Sequence, residues 1–208
     1  MRYFIGLDLG QRRDFTAIAV VERLERPRPY GEAEFEALLV RHAERLPLGT
    51  RYPAVVERVR ELTLLPELSG RCELIVDATG VGAPIVDLLR AERLGSSLAA
   101  VTITSGERES SRQNAGCVEY NVPKKDLVGS LQLAIEKREI RIGNDAPWTS
   151  ALLEELMDMR KTTRENGRER MGAEGAGQHD DLVMALALAC WKGRRRTQTI
   201  RFSSAPLY

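Results

Sequence analysis

Between Leu74 and Thr104 the chain alternates a short apolar run, a glycine turn, a helical pattern and a second apolar run, and this stretch constrains the fold more than any other. Leu74-Ile75-Val76 reads as a compact buried strand ending at Asp77. Thr79-Gly80-Val81-Gly82 turns the chain, Ile85 to Leu94 carries helical spacing, and Leu98 to Thr104 is a further strand. A strand–helix–strand unit of this kind crosses over to a parallel neighbour in the same sheet. An α/β architecture follows.

The flanking segments extend that sheet and cover it. Tyr3 to Leu9 is an apolar run stopped by Gly10, and Phe15 to Val21 is a second, rich in β-formers. The polar Gln11-Arg12-Arg13-Asp14 between them reads as a hairpin connection. Glu22 to Gly31, with two prolines and many charges, reads as an exposed turn, and Phe35 to Ala43 fits either a third strand or a helix. Val55, Val56, Val59, Leu62 and Leu65 fall on one helical face, with Pro53 in the first turn. Ser105 to Gly116 is polar and reads as a loop. Pro123 opens a helix with Leu127, Leu131, Ala134 and Ile135 at helical spacing, Ile140 to Ile142 fits a short edge strand, and Thr149 to Arg160 is a helix with Leu152, Leu153, Leu156 and Met159 inward. Lys161 to Gln178, glycine-rich and charged, fits a hairpin or a loop. Leu182 to Trp191 is apolar with alanines interleaved, a helix buried on most sides. The sum is a central mixed β-sheet flanked by helices, a pattern shared by several α/β folds. With 208 residues there is room for one ordinary domain, expected over 1–192, with 193–208 as a frayed basic tail.

Composition narrows the chemistry. With 31 basic and 30 acidic residues the net charge is +1, so a surface that attracts nucleic acid must come from local clustering. Three isolated cysteines, Cys72, Cys117 and Cys190, make neither a disulfide framework nor a zinc-thiolate site. Two histidines do not make a histidine-rich metal site. No signal-peptide core and no apolar span of membrane length is present, so a cytoplasmic location without membrane contact is expected.

Four aspartates at three places in the chain stand out against this background. Asp8 lies in the buried-looking strand Ile5-Gly6-Leu7-Asp8-Leu9-Gly10, where a charge is expensive unless paired or bound to a cation. Asp77 stands at the carboxyl end of its strand, where ligands gather in open α/β sheets. Asp180 and Asp181, after His179, begin the apolar final helix. Each has an ordinary explanation as a strand-end or capping residue. Together they supply carboxylates from separate elements, the layout that two hard cations such as Mg²⁺ or Mn²⁺ need for phosphodiester hydrolysis.

These motifs resemble the nuclease domain of bacteriophage terminase large subunits. The resemblance runs from about Phe4 to Trp191 and rests on Gly6-x-Asp8-x-Gly10 with Asp14-Phe15-Thr16-Ala17-Ile18, on Leu74 to Gly82, on Val122-Pro123-Lys124-Lys125-Asp126-Leu127, and most specifically on His179-Asp180-Asp181-Leu182-Val183 followed by Ala185-Leu186-Ala187. It implies an RNase H-like fold and a Mg²⁺- or Mn²⁺-dependent endodeoxyribonuclease with two ions, cutting double-stranded DNA as in genome-length cutting of packaged concatemers. It implies Asp8, Asp77 and Asp181 as catalytic metal ligands, Asp180 as an accessory ligand and His179 as an auxiliary residue. In a full terminase the partners would be an ATPase domain, a small terminase subunit and a portal, in the host cytoplasm. This chain carries no G-x-x-x-x-G-K-[ST] phosphate loop, so ATP-driven translocation is not expected of it.

DNA contacts are expected from Lys124 and Lys125, and from Lys161, Arg164, Arg168 and Arg170 together with Arg160, a segment offset only by Glu165 and Glu169. The resemblance makes Lys161 to Gly177 a DNA-facing β-hairpin. Lys192, Arg194, Arg195, Arg196 and Arg201 form a second basic cluster. Aromatic residues are 5%, which favours contact with a duplex backbone over base stacking on single strands. The competing readings are a RuvC-like junction resolvase or other RNase H-like nuclease, an actin-like or sugar-kinase ATP-binding protein, and a catalytically silent DNA-binding domain.

Overall fold

A computed structural model describes residues 2–10, 14–29, 33–80, 82–114, 116–165 and 179–195, with the side chains of 82, 83 and 160–165 outside that description. The elements in chain order are β1 (Tyr3–Asp8), β2 (Ala17–Arg26), β3 (Glu34–Arg45), α1 (Tyr52–Thr63), β4 (Cys72–Asp77), α2 (Gly82–Ala91), β5 (Ser96–Thr104), β6 (Ser110–Asn114), β7 (Cys117–Pro123), α3 (Lys124–Glu136), β8 (Ile140–Ile142), α4 (Thr149–Glu165) and α5 (Asp181–Gly193). The eight strands form one sheet in the order β6-β7-β5-β4-β1-β2-β3-β8. β1, β2 and β3 are antiparallel neighbours. β4 pairs parallel with both β1 and β5, so β4-α2-β5 is the crossover unit expected from the sequence. The sheet is mixed, as expected.

Strand alternation divides the core between the two faces of the sheet. Ile5, Leu7, Leu74 and Val76 point to one side, where Val55, Val56 and Val59 of α1 and Ile85, Val86 and Leu89 of α2 cover them. Phe4, Ile75, Ala99 and Val101 point to the other, where α3, α4 and α5 pack. α5 is buried along almost its whole length, which accounts for its unbroken apolar composition. It lies directly on β1: a Cβ added to Gly6 would run into the Ala185 carbonyl, 2.9 Å from its carbon, and would stand 3.1 Å from the Ala189 nitrogen. Only a residue without a side chain permits that approach.

Four expectations need correction. Glu22 to Gly31 is an exposed turn only in part: β2 continues to Arg26, Pro27 to Pro29 are exposed, and residues 30 and 31 lie outside the described residues. Glu22 is fully buried between Arg2 and Arg41, and those two arginines neutralise it. Ser105 to Gly116 is not wholly a loop: Ser110–Asn114 is the edge strand β6, paired antiparallel with β7. Leu153, expected inward, is 38% exposed, while Leu152 is buried as expected. Finally, α4 does not stop at Arg160; the helix runs on to Glu165, so Lys161 and Arg164 lie on a helix and not on a hairpin. Residues 166–178 of the expected hairpin lie outside the described residues.

Candidate active site

The sheet's topology brings the first two acids together. Parallel register sets Leu7 opposite Val76, so the next residues, Asp8 and Asp77, end neighbouring strands. Alternation turns both toward the face that α5 covers, since Phe4 and Ile75 belong to that core. α5 begins at Asp181 and runs along β1, so its first residues arrive at the same sheet edge. A cleft of about 280 Å³ results, lined by Asp8, Asp14, Asp77, Asp180 and Asp181 with Thr79 and Lys124. The three aspartates singled out in the sequence thus converge, as does Asp180.

The ordinary explanations for these acids can now be weighed individually. Asp77 does make a local turn contact: its Oδ1 accepts the Thr79 N–H at 2.8 Å. Thr79 Oγ1 in turn accepts the Ile103 N–H at 2.8 Å, which fixes the turn against β5. Asp180 occupies the N-cap position of α5 but its side chain makes no capping hydrogen bond. Its carboxylate faces Lys124, Oδ2 to Nζ 3.7 Å. Asp181 is 5% exposed and its Oδ2 has no hydrogen-bond partner. Capping therefore does not account for Asp180 or Asp181.

Electrostatics point the same way. Burial pushes the Asp8 carboxyl well above the usual carboxylate range, and repulsion from Asp77, Asp181 and Asp180 adds to it, against a lowering pull from Lys124. Burial raises Asp77, offset in part by the Thr79 hydrogen bonds. Burial raises Asp181 as well, against Arg45 and His179. Carboxylates that repel one another across a cleft are stable as anions only with added positive charge. Among the described residues no three acid, histidine or cysteine side chains already close around one point. Even so, the donor set is all carboxylate oxygen, Asp181 lines the cleft with its buried Oδ2 lacking a hydrogen bond, and both suit a hard divalent cation. The residues fit such an ion.

His179 stands at the rim, edge-on to the Phe15 ring at 5.1 Å, with Nδ1 3.6 Å from Asp181 Oδ2. Two residues not singled out in the sequence join the site. Asp14 lines the cleft, and the β1–β2 hairpin returns it there: Asp8 pairs with Ala17, and the Gly10 N–H donates to Thr16 Oγ1 at 3.2 Å. Glu155 of α4 is buried, forms an ion pair with Arg45 at the end of β3, and its Oε2 accepts the Val183 N–H at 3.0 Å. Burial pushes its carboxyl up to about 7. Both had a signal: hairpin register for Asp14, and for Glu155 its place between Leu152 and Leu156 on the inward stripe of α4.

The cations divide sharply. Lys124 lines the cleft, and Lys125 is exposed beside it. Arg168 and Arg170, with Arg196 and Arg201, lie outside the described residues. Lys192, Arg194 and Arg195 are not a frayed phosphate-binding tail. Lys192 meets Glu73 at 3.0 Å, Arg194 meets Glu139 at 2.9 Å, and Arg195 pairs with Glu109 while stacking 3.9 Å over Trp191. A larger cavity of about 520 Å³ opens on the opposite face, where Arg90, Arg112 and Asn114 converge on Glu119.

No family model matches the chain, and no curated protein is similar to it in sequence. Solved structures are similar in fold. The large terminase nuclease from the thermophilic phage G20c superimposes with a TM-score of 0.55 at 24% identity, over 90% of this chain and 80% of that one. The g2p (large terminase) nuclease domain of bacteriophage SPP1, solved with bound Mn, gives 0.52 at 11% identity over 91% and 85%. A Mn-soaked terminase nuclease domain of human cytomegalovirus gives 0.51 at 14% identity over 92% and 84%. At these identities the likeness establishes architecture, and the architecture of this chain is the RNase H-like fold, with terminase large-subunit nuclease domains as its structural neighbours.

Proposed function

We propose that this chain is a divalent-metal-dependent endonuclease that cuts double-stranded DNA, working in a terminase-type packaging system. The observation that carries the reading is the meeting of Asp8, Asp77, Asp180 and Asp181, drawn from three elements, in one cleft. The neighbours that share the fold support it, since all three are terminase nucleases and two were solved with Mn.

In this reading Asp8, Asp77 and Asp181 hold two Mg²⁺ or Mn²⁺ ions, with Asp180 and Asp14 as outer carboxylates. Bound there, such ions supply charge neutralisation for the scissile phosphate and an acidified water as nucleophile. Asp8 is central because β1 lies inside the sheet, with an acid on the neighbouring strand β4 and another on α5 above. Lys124 offers a phosphate oxygen the charge it otherwise lends to Asp180. His179, steadied by Phe15, sets the direction of the Asp181 carboxylate. Lys125, Lys161, Arg164, Arg168 and Arg170 extend the backbone contacts along the duplex. An ATPase domain, a small terminase subunit and a portal would be the partners in a packaging assembly.

The test is cleavage of linear and supercoiled duplex in Mn²⁺ or Mg²⁺, against chelator. Asp8→Asn and Asp181→Asn are expected to lose activity by at least about 10³-fold, on the scale of losing a main charge-stabilising group, with unchanged circular dichroism. Full metal-dependent cleavage by either variant rules the site out. A four-way junction and an RNA–DNA hybrid in the same panel define the substrate class.

A further inference from the structure

Behind the cleft that Asp181 lines, Arg45 faces its carboxylate as a loose ion pair without a hydrogen bond. Arg45 Nε and Asp181 Oδ2 are 3.8 Å apart, beyond hydrogen-bond range, and each is a buried atom with no partner. Two opposite charges whose facing atoms lack hydrogen bonds would ordinarily close such a gap, because a buried polar atom without a partner is costly. What holds them apart is on the far side of the guanidinium. Glu155 Oε1 takes Arg45 Nη2, while Glu155 Oε2 is itself tied to the Val183 N–H at 3.0 Å. The Phe15 ring flanks the guanidinium at 5.6 Å. His179 Nδ1, 3.6 Å away, is the other positive-capable group facing the same Asp181 oxygen.

We propose that Glu155 is a positioning residue that holds Arg45 back from Asp181, so that the Asp181 carboxylate is not taken up by Arg45 and keeps its charge for a divalent cation. This deepens the proposed reading of Asp181 as a metal ligand and rests on it. Arg45 is then an internal competitor: closed onto Asp181, it would neutralise the carboxylate the cation needs. Glu155 also neutralises Arg45, so a guanidinium can stand beside the site without cancelling its negative charge. One carboxylate on α4 thereby links the end of β3 to the start of α5, and both oxygens are needed for the two ties.

Calorimetric titration of the chelator-treated chain with Mn²⁺ tests this directly. Glu155→Gln keeps the volume but has one acceptor oxygen, so it cannot serve Val183 and Arg45 together. Released, Arg45 turns to Asp181, and Mn²⁺ affinity falls by at least about fivefold, the lower end of ordinary coupling between sites. Arg45→Gln has the opposite sign and binds Mn²⁺ more tightly than wild type. The double variant E155Q/R45Q returns to the level of R45Q. A purely structural pair predicts loss in both single variants, with R45Q binding Mn²⁺ more weakly than wild type, and that pattern overturns the proposal. Should Glu155→Gln fail to unfold cooperatively, weaker binding by Arg45→Gln alone overturns it. Wild type that binds Mn²⁺ with an affinity unchanged in Glu155→Gln overturns this role and leaves the metal reading standing. Wild type that does not bind Mn²⁺ at all overturns both.

Discussion

Gly6→Ala probes the contact on which the whole site depends. The added methyl carbon would lie 2.9 Å from the Ala185 carbonyl carbon, with the carbonyl oxygen nearer still. Ordinary carbon–carbon contact is about 3.5–4.0 Å, so α5 must retreat from β1 by at least about 0.6 Å. Both partners are backbone in a packed core, and no side chain can rotate out of the way. Overpacking of this kind costs roughly 1–3 kcal/mol, and alanine returns about 0.5–1 kcal/mol of strand propensity. The upper end applies to a backbone clash, leaving a net loss of about 2 kcal/mol, or about 4–8 °C in Tm for a chain of this size. Asp181 sits one turn before Ala185 on the same helix, so the shift also moves it relative to Asp8. Displacements of about 1 Å cost up to about 100-fold in rate, and a loss of about tenfold is expected while the protein is still folded. Urea denaturation and duplex cleavage at 20 °C give the two readouts. A Gly6→Ala protein of wild-type stability and full activity would refute the close approach of α5 to β1.

The remaining expectations concern charge. Burial raises Glu155 from 4.5 to about 7, and raises Asp8, Asp77 and Asp181 from 3.8. A carboxyl whose folded pKa exceeds its unfolded value contributes stability below the unfolded value and loses it as pH rises through the folded one. In chelator, Tm should therefore fall between pH 5 and pH 8, and Mn²⁺ at pH 8 should restore it by binding the ionised acids; a Tm that rises with pH in chelator contradicts this. Glu119, lowered to about 2 by Asn114, Arg112 and Arg90, acts only below that window. Lys124→Ala should weaken binding to duplex of any sequence and flatten the dependence of log K on log salt by about 0.9, the share of one phosphate contact. An unchanged slope removes Lys124 from the interface.

What the sequence revealed, and what it hid, follows the physics of each element. β1, β4 and α5 were legible because they are buried on both sides and so read as unbroken apolar runs. β6 was not, because every residue of Ser110–Asn114 is exposed at the edge of the sheet and nothing in its composition requires a strand. Glu22 misled in the other direction: a charge marks a surface only until arginines on either side neutralise it. The convergence of Asp8 with Asp77 followed from strand ends, and that of Asp180 and Asp181 from a buried helix that had to lie on the sheet. Glu155 was hidden because its significance comes from Arg45, 110 residues away, although an acid on the inward stripe of α4 was visible in advance.

The central claim is that Asp8, Asp77 and Asp181 form one metal site. Anomalous diffraction from crystals of the chain soaked in Mn²⁺ tests it most directly. The account predicts two peaks about 3.5–4 Å apart in the cleft. Each should lie about 2.0–2.6 Å from carboxylate oxygens of those residues. Mn²⁺ bound elsewhere, or an empty cleft in a protein that cleaves DNA in the same Mn²⁺, would contradict it.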